Sequence, residues 1–234
     1  MALMRTLHRA VCDWRRLTPA LAVACLLLAS TPSGAQVGAP AWWGTFDNDT
    51  VSLSFLFPQS NWPPMPDFAA APAWYAGTTW TRGGPKTPQW AALVSGHTGV
   101  WGIADGLAGQ GELAIRLDNQ YRPGWIKHVW YQFDLYQVGA QTCCLHGSGD
   151  VGSILNEHAT TEELPFGWQR VTGSFDILPQ PDWEQFTWQF DVQAAGKAAI
   201  DNLHIGARCE VPEPSALVAL ASPVLALIAA RRRR

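Results

Sequence analysis

Two segments of the chain place rings and planar polar groups at every second position, which is the spacing of one face of a β-strand. If the strands are neighbours, these residues form one surface, called here the polar-aromatic face. Sugars bind such surfaces, because rings stack on their C–H faces while carboxylate, amide and guanidinium groups bond their hydroxyls. From 126–137 the face takes His128, Trp130, Gln132, Asp134 and Tyr136, and from 168–176 it takes Trp168, Arg170, Thr172, Ser174 and Asp176. We predict carbohydrate binding by the first five residues with Trp168 and Arg170; the alternative is a mixed face that binds nothing.

Cysteines form the second group with chemistry. The part of the chain that follows the leader segment described below contains Cys143, Cys144 and Cys209. In an exported protein, cysteines meet an oxidising environment in which disulfides form. One disulfide is therefore expected, joining Cys209 to Cys143 or Cys144, and a vicinal Cys143–Cys144 bridge is a strained alternative. Cys143, Cys144 and His146 could instead bind a metal ion with His158, but the spacing fits known sites poorly and favours the disulfide.

The sequence contains no motif of an established catalytic machinery. Gly-x-Ser-x-Gly, His-Glu-x-x-His and phosphate-loop patterns are all absent. Glu157, Glu162 and Glu163 are close in sequence, but spacing alone does not make them a glycosidase pair. We predict that the protein is not an enzyme, with a glycan-active enzyme as the least favoured alternative.

The elements that must position these residues are strands. Period-two alternation of apolar residues runs through 51–57, 113–117, 126–137, 171–177, 186–192 and 199–205, the last after a turn at 196–197. Seven prolines in 58–89 indicate a long surface connection there. This pattern predicts an all-β fold, a β-sandwich of two antiparallel sheets.

Two short motifs, one before the first predicted strand and one in the last, narrow the predicted fold to one kind of β-sandwich. Ile200-Asp201-Asn202-Leu203 resembles the closing strand of carbohydrate-binding-module-like jelly rolls, and Gly44-Thr45-Phe46-Asp47 resembles their opening strand. The resemblance implies a jelly-roll-like sandwich with a structural calcium held by Asp47 and Asp201. Asp201 has the parity of Leu203 and points inward on this pattern, where a carboxylate needs a cation or several donors. The alternative is that Asp201 accepts backbone N–H bonds from the N-terminal strand. No other cofactor is predicted.

The C-terminus carries a three-part pattern. Val211, Pro212, Glu213 and Pro214 precede an uncharged apolar run at 215–230, and four arginines end the chain. As a helix the run would span about 24 Å, and its arginine flank would stay cytoplasmic. The pattern, at 211–234, resembles the PEP-CTERM sorting signal of Gram-negative bacteria that make exopolysaccharide. That resemblance implies a transient inner-membrane helix and cleavage by an exosortase-type enzyme; the alternative is a permanent anchor.

The N-terminus predicts export. A basic leader, a short apolar run and small residues before position 36 are typical of a secretory signal peptide at 1–35, removed by signal peptidase. The remaining body, 36–210, has 8 Lys and Arg against 17 Asp and Glu, a net charge of −9 with histidine neutral. This charge argues against nucleic acid as a partner.

Together these patterns predict an exported, sorted protein of the cell surface or extracellular matrix that binds exopolysaccharide. A purely structural envelope or matrix protein without glycan binding is the alternative.

Overall fold

A computed structural model describes residues 39–45, 49–72, 75, 77–119, 122–149 and 152–211. The described residues form ten strands, one short 3-10 turn at Pro165–Gly167 and no α-helix. The strands are β1 (Thr50–Phe55), β2 (Phe68–Ala70), β3 (Gly77–Gly83), β4 (Gln89–Val94), β5 (His97–Ile103), β6 (Gly109–Asp118), β7 (Ile126–Ser148), β8 (Ser153–Glu163), β9 (Trp168–Leu178) and β10 (Trp183–Glu210). The all-β, antiparallel prediction is confirmed.

Two long strands, β7 and β10, pair with each other along most of their length and organise the sheet. The last part of β10 and the first part of β7 lie in a layer ordered β2-β1-β10-β7-β9-β8. The first part of β10 and the last part of β7 continue into a second layer with β6 and β3. β5 pairs with β10 and β4 pairs with β5, so all ten strands are hydrogen-bonded into one continuous sheet. The sheet is sandwich-like because it folds back on itself.

The core lies between these layers and consists of the alternating apolar residues that the sequence pattern identifies. Phe186, Trp188 and Phe190 of β10 are each at most 2% exposed. Trp188 meets Phe133 of β7 edge-to-face, with ring centroids 5.5 Å apart. Aromatic contacts of this kind supply large buried area and a preferred geometry, so they fix how the layers sit.

Two predictions about strand boundaries are wrong. Segment 58–89 is not wholly a surface connection, because it contains β2 and β3, and Trp80 of β3 packs edge-to-face on Phe55 in the core. The predicted turn at 196–197, which would have separated a last strand from the one before it, is also absent from this described segment. Instead β10 runs on through a bulge between Val192 and Lys197, with Ala195 at φ +63°, and so passes from one layer to the other.

Candidate functional site

Strands β7 and β9 bring the two halves of the polar-aromatic face together. They pair antiparallel, so residues of the same parity lie opposite each other. The opposing pairs are His128 with Asp176, Trp130 with Ser174, Gln132 with Thr172, Asp134 with Arg170 and Tyr136 with Trp168. The face lies on the outer side of the first layer, because the alternate residues Val129, Tyr131 and Phe133 belong to the core.

The centre of this face is occupied by an ion pair. Arg170 donates from Nε to Asp134 Oδ1 at 2.8 Å and from Nη2 to Asp134 Oδ2 at 3.1 Å. Asn202 of β10 donates to the same Oδ2 at 2.7 Å. The Asp134 side chain is 1% exposed, and its hydrogen bond raises the pKa of Arg170 above the ordinary value. These groups bond each other, and Gln132, which donates to Thr172 at 2.9 Å, is buried as well.

The two tryptophans of the face are covered by other parts of the chain. Trp43 meets Trp130 edge-to-face, with centroids 5.9 Å apart. His97 stacks on Trp168 at 4.0 Å, and Trp168 Nε1 donates to the backbone oxygen of Ser95. Trp130 is 4% exposed and Trp168 is fully buried. The expectation that both rings lie open to a ligand is therefore corrected: remote segments fold over this face.

Beside the covered part, one end of the face remains open as a pocket of about 450 Å³. Its lining includes Trp42, His128, Trp130, His158, Ser174 and Asp176. His128 Nδ1 lies 2.7 Å from Asp176 Oδ1, and Asn156 donates to the other oxygen of Asp176 at 2.7 Å. His158 Nδ1 lies 3.3 Å from the hydroxyl of Ser174. The pocket therefore combines an aromatic wall with several groups that can bond hydroxyls.

Trp42 is the pocket residue that sequence reasoning misses. It lies in the segment 39–45, which has no strand periodicity, and it is half-buried against Gly206 of β10. A Cβ at Gly206 would come 2.7 Å from Trp43 and 2.9 Å from Trp42, so the missing side chain makes room for both rings. In the sequence, the only signals of this packing are the two adjacent tryptophans near the start of the body and the glycine in its last strand.

Asp201 lies on the outer side of the sheet, and the predicted inward parity is wrong. Asn202 has φ +47° and forms a bulge, so the alternation changes phase between Asp201 and Leu203. Asp201 Oδ2 lies 2.8 Å from His97 Nδ1, and its Oδ1 accepts the backbone N–H of Asn202 at 2.7 Å. Among the described residues, its hydrogen-bond partners are therefore not backbone amides of the N-terminal strand. Burial raises the pKa of Asp201, and the His97 contact opposes that rise.

The predicted calcium pair stays a prediction, because Asp47 lies outside the described residues. Within the part of the chain that the structure describes, no group of three or more His, Cys, Asp or Glu side chains is arranged to hold a metal ion. Within the described residues, Asp201 bonds one histidine, His97, and one backbone N–H, that of Asn202.

The cysteines of the described part, Cys143, Cys144 and Cys209, are all free thiols. Cys209 lies opposite Lys127 near the start of β7, whereas Cys143 and Cys144 lie towards the other end of that strand, opposite Gln189 and Trp188. The structure therefore does not form the predicted link from Cys209 to either residue, nor the vicinal bridge. Burial raises the pKa of the Cys144 and Cys209 thiols to about 12.

The alternative metal set is also separated. His146 is enclosed by core rings, lies 3.7 Å from the sulfur of Cys144 and pairs with Glu157. Burial lowers its pKa. His158 instead lines the outer pocket, so the two histidines do not share a ligand position.

The leader at 1–35, the motif residues 212–214 and the tail 215–234 lie outside the described residues; Val211 is the last one described. In the described part, no helix is both long and apolar enough to span a bilayer. A scan against protein-family models gives no match to the sequence. A search of curated proteins also gives no significant match.

Proposed function

We propose that the chain is an exported, exosortase-sorted protein of the cell surface or extracellular matrix that binds polysaccharide and turns over no substrate. One observation carries the binding proposal: the pocket of Trp42, His128 and Asp176 is an open aromatic and polar surface on an otherwise tightly packed face. An indole ring can stack on a sugar, while imidazole and carboxylate groups bond its hydroxyls. The net charge of −9 over 36–210 favours a neutral glycan over a polyanionic one.

Strand order supports a jelly-roll arrangement as the finer description of the fold. The first strand, β1, pairs antiparallel with the end of the last strand, β10, from Thr50 opposite Arg208 to Phe55 opposite Leu203. The paired part of β10 begins within Ile200-Asp201-Asn202-Leu203, the segment that resembles the closing strand of carbohydrate-binding-module-like jelly rolls. We include a structural calcium at Asp47 and Asp201 in this proposal only as a property to be tested.

Substitution of Trp42, the half-buried ring that lines the pocket, tests the binding site. Trp42→Ala should reduce the retardation of the mature protein in a gel that contains the host's exopolysaccharide. The loss of one stacked ring corresponds to about 1 kcal/mol of binding free energy, or a roughly fivefold higher Kd. Trp183→Ala is the matched control, since Trp183 is a half-buried ring elsewhere that packs under Arg116. Equal loss in both variants would contradict a site at Trp42.

A purely structural matrix protein is the second candidate. It is favoured by the burial of Trp130 and Trp168, the two rings that the sequence pattern assigns to a ligand. Wild-type protein that no glycan retards would support this candidate. Release of sugar from the same polysaccharide would instead support a glycan-active enzyme, the least favoured reading.

The sorting route has its own test. Glu213→Ala should leave the precursor in the inner membrane, because the residue belongs to the motif that an exosortase-type enzyme would read. The intact mass of wild-type protein from its host should lack 216–234. A mature mass that retains those residues would rule out processing.

A further inference from the structure

Three side chains meet at one end of the sandwich in an arrangement that no part of the proposed function uses. Lys127 is the second residue of β7, Glu184 is the second residue of β10, and Asn119 directly follows β6. Lys127 Nζ donates to Glu184 Oε2 at 2.7 Å. Asn119 Nδ2 donates to that same oxygen. The amine and the amide nitrogen are therefore at most two hydrogen-bond lengths apart, roughly 6 Å.

The ion pair of this cluster is fully buried. The side chains of Lys127 and Glu184 are both 0% exposed. Burying an ion pair away from water costs free energy. Transfer of one proton from the Lys127 ammonium to the Glu184 carboxylate would replace the ion pair with a neutral amine and a neutral carboxylic acid. A neutral amine is a nucleophile, whereas an ammonium is not.

The cluster also contains polar atoms that its hydrogen bonds do not satisfy. Asn119 Oδ1 and Glu184 Oε1 are buried, and neither has a hydrogen-bond partner among the described residues. Buried oxygen atoms of this kind are rare in folded proteins and call for an explanation. A carboxylic acid O–H at Glu184 would give the cluster the donor that it lacks.

We propose that Lys127 and Asn119 form an intramolecular amide bond, with Glu184 carrying the protons. The Nζ atom attacks Cγ of Asn119, the new Nζ–Cγ bond forms, and the Cγ–Nδ2 bond breaks. Of the three ammonium protons, one stays on the new amide nitrogen. The other two pass by way of Glu184 to Nδ2, which leaves as ammonium and restores the carboxylate. Atoms and charge balance without an oxidant, metal ion or energy source.

The position of the bond gives it a structural effect. Asn119 directly follows β6 of the second layer, and Lys127 belongs to the part of β7 that lies in the first layer. The bond would tie the two layers together at this end of the core and close the connection between β6 and β7 into a ring. A noncovalent buried ion pair is the alternative that the experiment must exclude.

Trypsin distinguishes the two states when the full-length chain is first folded and then denatured for digestion, since Lys127 is fully buried in the fold. Trypsin does not cut after an acylated lysine, and Pro123 protects the bond after Arg122. Without the link, digestion releases 117–127 and 128–170 as separate fragments. With the link, we expect one fragment, 117–170, lighter than its sequence by one ammonia. Reading this fragment avoids confusion with cyclisation of an N-terminal glutamine, which also loses ammonia.

Glu184→Gln is the matched variant, because it keeps the size of the side chain but cannot accept the proton. It should give the two separate fragments, and Asn119→Ala should do the same. Wild-type protein that yields free 117–127 and no lighter 117–170 fragment would overturn the proposal, whatever the variants do. A linked wild type together with a linked Glu184→Gln variant would overturn the role of Glu184.

Discussion

Arg170→Leu should destabilise the domain more than any change at a surface arginine. The substitution removes two of the three hydrogen bonds that hold the Asp134 carboxylate, leaving the contact from Asn202. Asp134 stays buried, because Trp130 and Gln132 of the same strand are covered as well. A charge is thus left in the sheet without its counterion.

The magnitude follows from the burial of the two partners. Breaking a buried pair from one side costs about 3–5 kcal/mol. The Arg170 side chain is 27% exposed, so water screens part of the interaction and the lower end, about 3 kcal/mol, applies. For a domain of this size the corresponding fall in Tm is roughly 6–12 °C.

The measurement is a thermal or urea unfolding curve of the mature body, with Arg208→Leu as control. Arg208 pairs with Glu210 at 3.0 Å, but both side chains are about 40% exposed, so its loss should cost less than about 0.5 kcal/mol. The double variant Asp134→Leu with Arg170→Leu should recover much of the stability, because no charge is stranded. An Arg170→Leu shift no larger than that of Arg208→Leu would refute this reasoning.

Three further predictions concern titratable groups. Burial lowers the pKa of His204 to about 4, below its ordinary value of about 6.5. The stability that neutral His204 contributes is therefore complete above pH 6.5, and up to about 3 kcal/mol of it is lost as the pH falls from 6.5 to 4. His204→Gln should flatten this part of a profile of urea midpoint against pH. Among the thiols, exposed Cys143 should react with iodoacetamide well before Cys144 and Cys209, whose raised pKa keeps them protonated; equal rates by mass spectrometry would contradict the burial. Asp201→Ala should cost about 1–3 kcal/mol by leaving its donors unpaired, and a chelator that lowers Tm in wild type but not in this variant would establish calcium there.

Sequence pattern predicts the core of this fold well where a strand is regular. In 186–192 the apolar residues alternate strictly, and the structure buries Phe186, Trp188 and Phe190 as the pattern requires. The same rule places Trp130 and Asp134 correctly on the opposite face of β7. Local periodicity suffices for these residues because a regular strand presents alternate side chains to opposite faces.

The pattern fails where geometry depends on distant residues or on a single backbone angle. One bulge at Asn202 reverses the parity of Asp201, and no apolar spacing signals it. Burial of Trp168 depends on His97, which comes from a hairpin far away in the chain. The pocket at Trp42 depends on a segment with no periodicity at all. The sequence thus predicts which residues share a strand face. It does not predict which parts of a face stay exposed to solvent, because distant segments cover the rest.

The path of β10 has a mechanical consequence. A pull on the chain beyond Glu210 would act on β10, which is paired antiparallel with β7 from His204 to Glu210 and with β1 from Leu203 to Arg208. Such a load shears many hydrogen bonds at once and cannot open them one by one from a free end. Because the strand also continues through the second layer, extraction would further break its pairing with β6 and with the last part of β7. A tether at the C-terminal side, as in the proposed sorting route, would therefore place its load on β10, the strand that pairs with β1, β5, β6 and β7.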